Sequence, residues 1–171
     1  QNILQNTAAS NTAVGDTALQ SNTTGFANTA SGKDALSSNT TGINNTASGS
    51  QALQSNNTGI NNTASGAGAL PNNTVGNDNT AIGRKALRDN TTGYANTASG
   101  SDALKSNITG AGNTASGYNA LGRNTDGDNN IALGFQAGLF TTGDWNIMIG
   151  NEGQEGESGT IRIGNPSLHP V

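Results

Sequence analysis

The stretch NTASGSQALQSNNTGIN, residues 45–61, is preceded and followed by close copies of itself. A glycine ends each N-x-A-x-G motif and returns every seventeen residues, and a leucine and two asparagines keep the same step. The glycines are Gly15, Gly32, Gly49, Gly66, Gly83, Gly100, Gly117 and Gly134. A period that no insertion breaks between residues 11 and 134 predicts stacked structural repeats.

One slot of the unit varies freely while its framework stays constant. Lys33-Asp34, Ser50-Gln51, Arg84-Lys85 and Tyr118-Asn119 occupy equivalent positions. Tandem duplication alone would not keep the framework positions constant while the residues in this slot change from one repeat to the next. The pattern therefore favours a folded solenoid over a disordered repeat.

Composition narrows the class of protein further. The chain has 171 residues, a net charge of −4, 11% charged residues and no cysteine. This balance excludes a basic nucleic-acid-binding face and a disulfide framework. No apolar run is long enough to span a membrane. No signal-peptide pattern is present, so we expect any membrane contact to depend on other segments.

The repeat length selects the fold class. Seventeen residues are too few for two packed helices, and Asn, Thr, Ser and Gly are poor helix formers. We predict an all-β, left-handed parallel β-roll or β-solenoid with 17-residue coils about 4.8 Å apart. Each coil would contain a short strand, a turn at glycine, a second short strand with Ala-Leu, and a turn at Asn-Thr-Thr-Gly.

Three regions follow from the spacing. Residues 1–134 form the regular solenoid, residues 135–165 form C-terminal coils whose larger apolar residues act as a cap, and residues 166–171 form an exit tail. In the C-terminal coils the step shortens from seventeen to sixteen and then fourteen residues.

Large aliphatic residues at the C-terminal end indicate which columns face inward. Ile131 and Leu133 occupy the slots held by Thr46 and Ser48, and two further Ile-x-Ile motifs follow. Residues two apart in a strand share a face. Stacked asparagines can hydrogen-bond along a column. The predicted inward columns comprise Asn28, Asn45, Asn62, Thr46, Ser48, Leu36, Leu53, Leu70, Ile131 and Leu133.

Such an interior is small for one chain. One leucine and a few small side chains per coil bury little apolar area, at roughly 25 cal/mol per Å². Ordering the backbone opposes folding. We therefore expect association with copies of the same chain, as a homotrimer with closed symmetry.

Two motifs, DNTAIG at residues 78–83 and NNIALG at residues 129–134, resemble the N-S-V-A-I-G signature of trimeric autotransporter adhesin heads of the YadA-like class. The stretch NIMIGNEGQEGESGTIRIGNP, residues 146–166, is similar to bacterial and phage fibre proteins in which such coils precede a tail-fibre chaperone domain. The resemblance covers about residues 11–165. It implies a left-handed β-roll of three chains around one axis, exposed on a cell or fibre surface, and adhesion rather than catalysis.

Residues suited to catalysis are sparse. The single histidine, His169, has no partners that would form a Ser-His-Asp arrangement. Asp126 to Asn130 lacks the glycine and distal glutamate of a calcium loop. Glu152, Glu155 and Glu157 are expected to form a solvated loop. We predict no enzyme activity, no metal site and no cofactor.

The aromatic residues gather late in the chain, at Phe135, Phe140 and Trp145. We interpret them as part of the C-terminal cap. A platform that stacks on sugar rings is the alternative interpretation.

These observations predict a non-catalytic structural or adhesive segment of an extracellular fibre, a surface adhesin or a phage-like particle. Its partners would be copies of itself and a host surface, matrix protein or glycan. The alternative is an ice-binding β-solenoid that uses Thr-x-Ser columns. These columns contain Thr29/Ser31, Thr46/Ser48, Thr63/Ser65, Thr97/Ser99 and Thr114/Ser116.

Overall fold

The computed structural model describes residues 3–6 and 10–164, and within these ranges all regular secondary structure is β-strand. Eleven strands form one sheet in which spatial order follows chain order. The strands are β1 (Ile3–Asn6), β2 (Asn11–Val14), β3 (Thr29–Ser31), β4 (Thr46–Ser48), β5 (Thr63–Ser65), β6 (Thr80–Ile82), β7 (Thr97–Ser99), β8 (Thr114–Ser116), β9 (Ile131–Leu133), β10 (Ile147–Ile149) and β11 (Ile161–Ile163). The predicted exit tail, residues 166–171, and His169 lie outside the described residues.

Strands β2 to β11 are parallel, and each pairs with the equivalent strand of the next coil. Thr46 pairs with Thr63, for example, and Ser48 with Ser65. The chain is an all-β solenoid repeat protein with 17-residue coils, which confirms the predicted fold class. The coils shorten where the sequence step shortens, because Ile147 pairs with both Ile131 and Ile161.

The first strand departs from the repeat. β1 pairs with β2 in the antiparallel direction, with Ile3 opposite Val14 and Asn6 opposite Asn11. The repeat pattern, which begins at residue 11, did not predict this hairpin. It occupies the free edge of β2, so that edge does not offer unpaired backbone groups to another chain.

Each regular coil contains one strand, and the predicted second strand at Ala-Leu is wrong. The leucines of this segment lie in the left-handed region, with φ of 49° at Leu36 and 50° at Leu53. A bulky residue rarely adopts this conformation. Here it turns the chain so that the leucine side chain enters the interior, where Leu36 and Leu53 are completely buried. Their burial offsets the backbone strain.

Small apolar side chains fill the interior of each coil. In the coil that begins with β4, Ala47, Ala52 and Leu53 are all completely buried. Equivalent alanines and leucines continue this core along the solenoid. Because the core contains little more than two methyl groups and one isobutyl group per coil, polar contacts must carry much of the stacking.

An asparagine ladder runs through the interior beside each strand. The Asn45 backbone N–H donates to Asn28 Oδ1 at 2.9 Å, and Asn45 Nδ2 donates to the Gly59 carbonyl at 2.8 Å. The same bonds recur at Asn62, Asn79 and Asn96. These buried amides are hydrogen-bonded, as burial requires.

A second asparagine ladder runs along the Asn-x-x-Gly turn of each regular coil. Asn56 Nδ2 donates to Asn39 Oδ1 at 2.9 Å and to the Gly59 carbonyl at 3.1 Å. The Gly59 carbonyl thus accepts from both ladders. This ladder stops at Asn124, because Thr141 takes the next place, and Asn124 Oδ1 and Thr141 Oγ1 have no hydrogen-bond partner.

Candidate functional site

The outward-pointing residues of β2 to β11 form one continuous surface, which we call the strand face. In β4 the central Ala47 is completely buried, whereas Thr46 and Ser48 on either side are exposed. Pairing in register places equivalent residues in rows. Neighbours in a row are about 4.8 Å apart, and the two rows are separated by about 6.6 Å.

Thr46, Ser48, Ile131 and Leu133 are on this exposed face, and the prediction that they point inward is wrong. Thr46 and Ser48 are exposed, and Ile131 and Leu133 retain 44% and 52% of their accessible surface. The coil interior is narrow, and the central alanine of each triplet occupies it. The recurrence of this alanine between the two outward slots was the signal in the sequence that could have identified the inward face.

The other predicted inward columns do lie in the interior. Every one of these side chains is completely buried: Asn28, Asn45, Asn62, Leu36, Leu53 and Leu70. Each belongs to the interior of its own coil.

Three neighbouring strands make the strand face apolar at its C-terminal end. We call this region the aliphatic patch, and it consists of the outward residues of β9, β10 and β11. Exposure is 44% at Ile131 and 52% at Leu133, is lower in β10 with 37% at Ile149, and is highest in β11 with 66% at Ile161 and 73% at Ile163. The patch comprises Ile131, Leu133, Ile147, Ile149, Ile161 and Ile163.

Exposed aromatic residues flank the aliphatic patch. Phe135, two residues after β9, is 69% exposed, and Trp145, two residues before β10, is 68% exposed. Phe135 stacks on Tyr118 of the preceding coil, with ring centroids 5.4 Å apart. Phe135 and Trp145 are therefore not buried in a C-terminal cap. Met148, the central residue of β10, is completely buried.

No charged side chain points outward from β2 to β11, although the chain contains eighteen charged residues. Apart from Arg162, the central residue of β11, the charged residues lie in the turns and loops instead. Arg88 is one example, since it bonds to Asp89 at 2.5 Å, and this hydrogen bond raises the pKa of Arg88. The strand face is therefore uncharged along its described length.

A shallow depression of about 450 Å³ lies among the turns of the C-terminal coils. The Arg123 guanidinium carbon is 4.7 Å from the centroid of the Phe140 ring, and Asp126 and Glu155 also line the depression. Cation–π contact of this kind stabilises a partly exposed arginine. The face of the Phe140 ring is therefore already in contact with Arg123 of the same chain.

The acidic loop after β10 is organised by Glu157. Its carboxylate accepts from the Gln154 N–H at 2.6 Å and from Arg162 Nε at 2.7 Å. Across residues 10–164, no group of three or more acidic or histidine side chains is placed to hold a metal ion. In the same part of the chain, no helix is long and apolar enough to cross a membrane.

No protein-family model matches the sequence, and neither a curated protein nor a solved structure is significantly similar to it.

Proposed function

We propose that this chain is a non-catalytic structural and adhesive segment of an extracellular fibre or surface adhesin. In this proposal three copies pack their strand faces around a common axis, while the turns present a repetitive polar surface. The observation that carries the proposal is the uncharged strand face with its exposed aliphatic patch. Exposed apolar surface of this extent marks an interaction site.

An identical copy is a suitable occupant of this face. Because the face carries no charge, two or three copies meet without repulsion between like charges. The coil interior contains only small apolar groups, so burial of the isoleucines between copies would add the large apolar contacts that each chain lacks. Closed symmetry is the usual form of such association.

The turns would then carry the adhesive function. Lys33, Ser50, Arg84 and Tyr118 of the variable slot are all exposed. A host surface, a matrix protein or a glycan would contact these turns. In this proposal the segment lies outside the cell, on a cell surface or on the fibre of a phage-like particle.

The mass in solution tests the proposal. Light scattering should give three times the chain mass of 17.0 kDa, at concentrations where circular dichroism reports a folded protein. A folded monomer at high concentration would refute the assembly. The assembled chain would then be screened against glycan arrays and immobilised matrix proteins to test adhesion.

Ice binding is a second candidate function, and the exposure of the threonine rows favours it. Thr29, Thr46 and Thr63 repeat at a fixed spacing on a rigid sheet, with serines in the second row. The two functions compete for one face, since copies packed on the strand face would cover it. Thermal hysteresis from a monomeric protein would favour ice binding, and its absence would leave the fibre proposal.

A further inference from the structure

The polar part of the strand face gives little information about how two copies align along the solenoid. β3, β4, β5, β7 and β8 all present the same outward threonine and serine. A copy that slides by one coil, about 4.8 Å, meets almost the same side chains again. Within β3 to β8 only Ile82 of β6 interrupts these rows, so they leave the alignment weakly specified, as in strands without a distinctive face.

The aliphatic patch removes this ambiguity. Its outward residues are all isoleucine or leucine, and they occupy three consecutive strands at one end of the rows. A slip of one coil would place Ile131 or Leu133 of one copy against Thr114 or Ser116 of the next. It would also leave apolar surface in water at the other end of the patch.

We propose that the aliphatic patch sets the register between copies of this chain. β9, β10 and β11 of each copy pack against the same strands of the others, and this contact aligns the threonine and serine rows upstream. The inference rests on the proposed self-association and adds which coils determine the alignment.

The occupant of the patch is a second copy rather than a different partner. The patch is continuous with the rest of the strand face, which is uncharged in every copy. Ile161 and Ile163 are the most exposed aliphatic residues of the face, and Phe135 and Trp145 extend the apolar surface beside it. An apolar surface that matches itself buries most of its area when copies align coil by coil.

Chains of two lengths test this register directly. The parent chain has no cysteine, so Ser31→Cys and Ser65→Cys provide single reporters on the strand face. A longer chain would contain a second copy of residues 46–79 inserted directly after residue 79. Its Ser65→Cys reporter would be in the first copy, so the insertion adds two coils between each reporter and the aliphatic patch. Solenoids tolerate such added repeats, because each coil contacts only its neighbours.

Alignment by the patch predicts one disulfide and excludes another. Parent Ser31→Cys should cross-link to longer-chain Ser65→Cys, because both are then the same number of coils from the patch. Parent Ser31→Cys should not cross-link to longer-chain Ser31→Cys. The misaligned pair would be separated by about 9.6 Å along the solenoid, whereas disulfides need Cα atoms within about 7 Å.

Each outcome is decisive. Cross-links between the two Ser31→Cys reporters, cross-links in both combinations, or none between parent and longer chains would overturn the inference. Parent oligomers that form no Ser31→Cys cross-link among themselves would also overturn it. A monomeric parent would instead refute the proposed self-association.

A polar variant adds a second test. Ile131→Thr, Leu133→Ser, Ile147→Thr, Ile149→Ser, Ile161→Thr and Ile163→Ser together give β9, β10 and β11 the outward residues of the upstream coils. In both chain lengths this variant should lose the exclusive pairing, and persistence of the exclusive pairing would overturn the inference. The matched control is Ile108→Thr, an exposed isoleucine on a turn, which should leave the cross-links unchanged.

Discussion

Asn45 makes two hydrogen bonds to the same oxygen of Asn28, its equivalent one coil earlier. The Asn45 backbone N–H donates to Asn28 Oδ1 at 2.9 Å, and Asn45 Nδ2 donates to it at 3.2 Å. Both residues are completely buried. Buried polar bonds therefore connect successive coils where the apolar core is too small to do so alone. Buried networks of this kind are costly to leave half-satisfied.

Asn62→Ala should strongly destabilise the solenoid. It removes the bond from Asn62 Nδ2 to the Gly76 carbonyl at 2.8 Å and leaves the Asn79 N–H without its acceptor. Loss of buried partners predicts a decrease of about 2–5 kcal/mol in the free energy of unfolding, measured by urea denaturation. Asn57→Thr is the control, because Asn57 is exposed and equivalent coils carry threonine. Equal effects of the two substitutions would contradict the ladder's role.

Leu70→Ala should destabilise the chain through a cavity in the interior of its coil. Leu70 is completely buried, and truncation of a buried leucine costs about 2–5 kcal/mol. Leu70→Met, which nearly conserves volume, should cost less than about 1.5 kcal/mol. Leu70→Asp should prevent the coil from folding, because it buries an unpaired charge. Thermal unfolding followed by circular dichroism would order the three variants, and a harmless Leu70→Asp would disprove the buried leucine column.

Gly49→Ala should be among the most damaging small substitutions. Gly49 has φ of 135°, and a Cβ at this position would lie 2.6 Å from the carbonyl oxygen of Gly66 in the next coil. Because that neighbour is backbone, the two coils would have to separate. We expect a loss of about 3 kcal/mol or more in unfolding free energy, since backbone strain of this kind costs 1–3 kcal/mol before packing is lost.

Gly68→Gln is the matched control for Gly49→Ala. Gly68 has φ of 60°, and its Cβ would approach only a flexible lysine side chain, at 3.8 Å. Gln51 already occupies the equivalent position with the same φ of 60°. The larger substitution at Gly68 should therefore change stability by less than about 1 kcal/mol. A greater loss at Gly68 than at Gly49 would contradict the close approach of the coils.

The fold class was predictable because the repeat spacing is unbroken from residue 11 to residue 134. A fixed seventeen-residue step specifies in-register pairing, and Thr46 pairs with Thr63 as that step requires. The turn at Ala-Leu was not predictable from propensity, because leucine rarely adopts positive φ. Burial of Leu53 stabilises that conformation, and burial is a property of the stacked coils rather than of the local sequence.

The prediction of which strand face points inward was wrong, and β11 with its central Arg162 shows why. Alternation defines two faces of a strand and does not state which one is inside. In β11 the central residue is Arg162 between two isoleucines, a pattern that favours inward isoleucines. Arg162 is instead only partly buried and bonds to Glu157 through Nε at 2.7 Å. The central alanine of the TAS triplets was the better guide.

Ser48→Asp should dissociate the assembly without unfolding the chain. Ser48 is exposed, so the substitution should change the stability of the single chain by less than about 0.5 kcal/mol. In a homotrimer three added carboxylates would meet on a face that carries no charge, and they would repel one another. Light scattering should show the mass fall towards that of one chain, with recovery at high salt, which screens the repulsion.

Two further measurements separate repulsion on the strand face from a general effect of charge. Ser50→Asp adds the same charge on an exposed turn position whose equivalents in other coils are Lys33 and Arg84, and it should leave the mass unchanged. A mixture of Ser48→Asp chains with Ser48→Lys chains should regain a larger mass than either variant alone, because opposite charges then meet across the axis. If Ser48→Asp keeps the full assembled mass at low salt, the copies do not associate through the strand face.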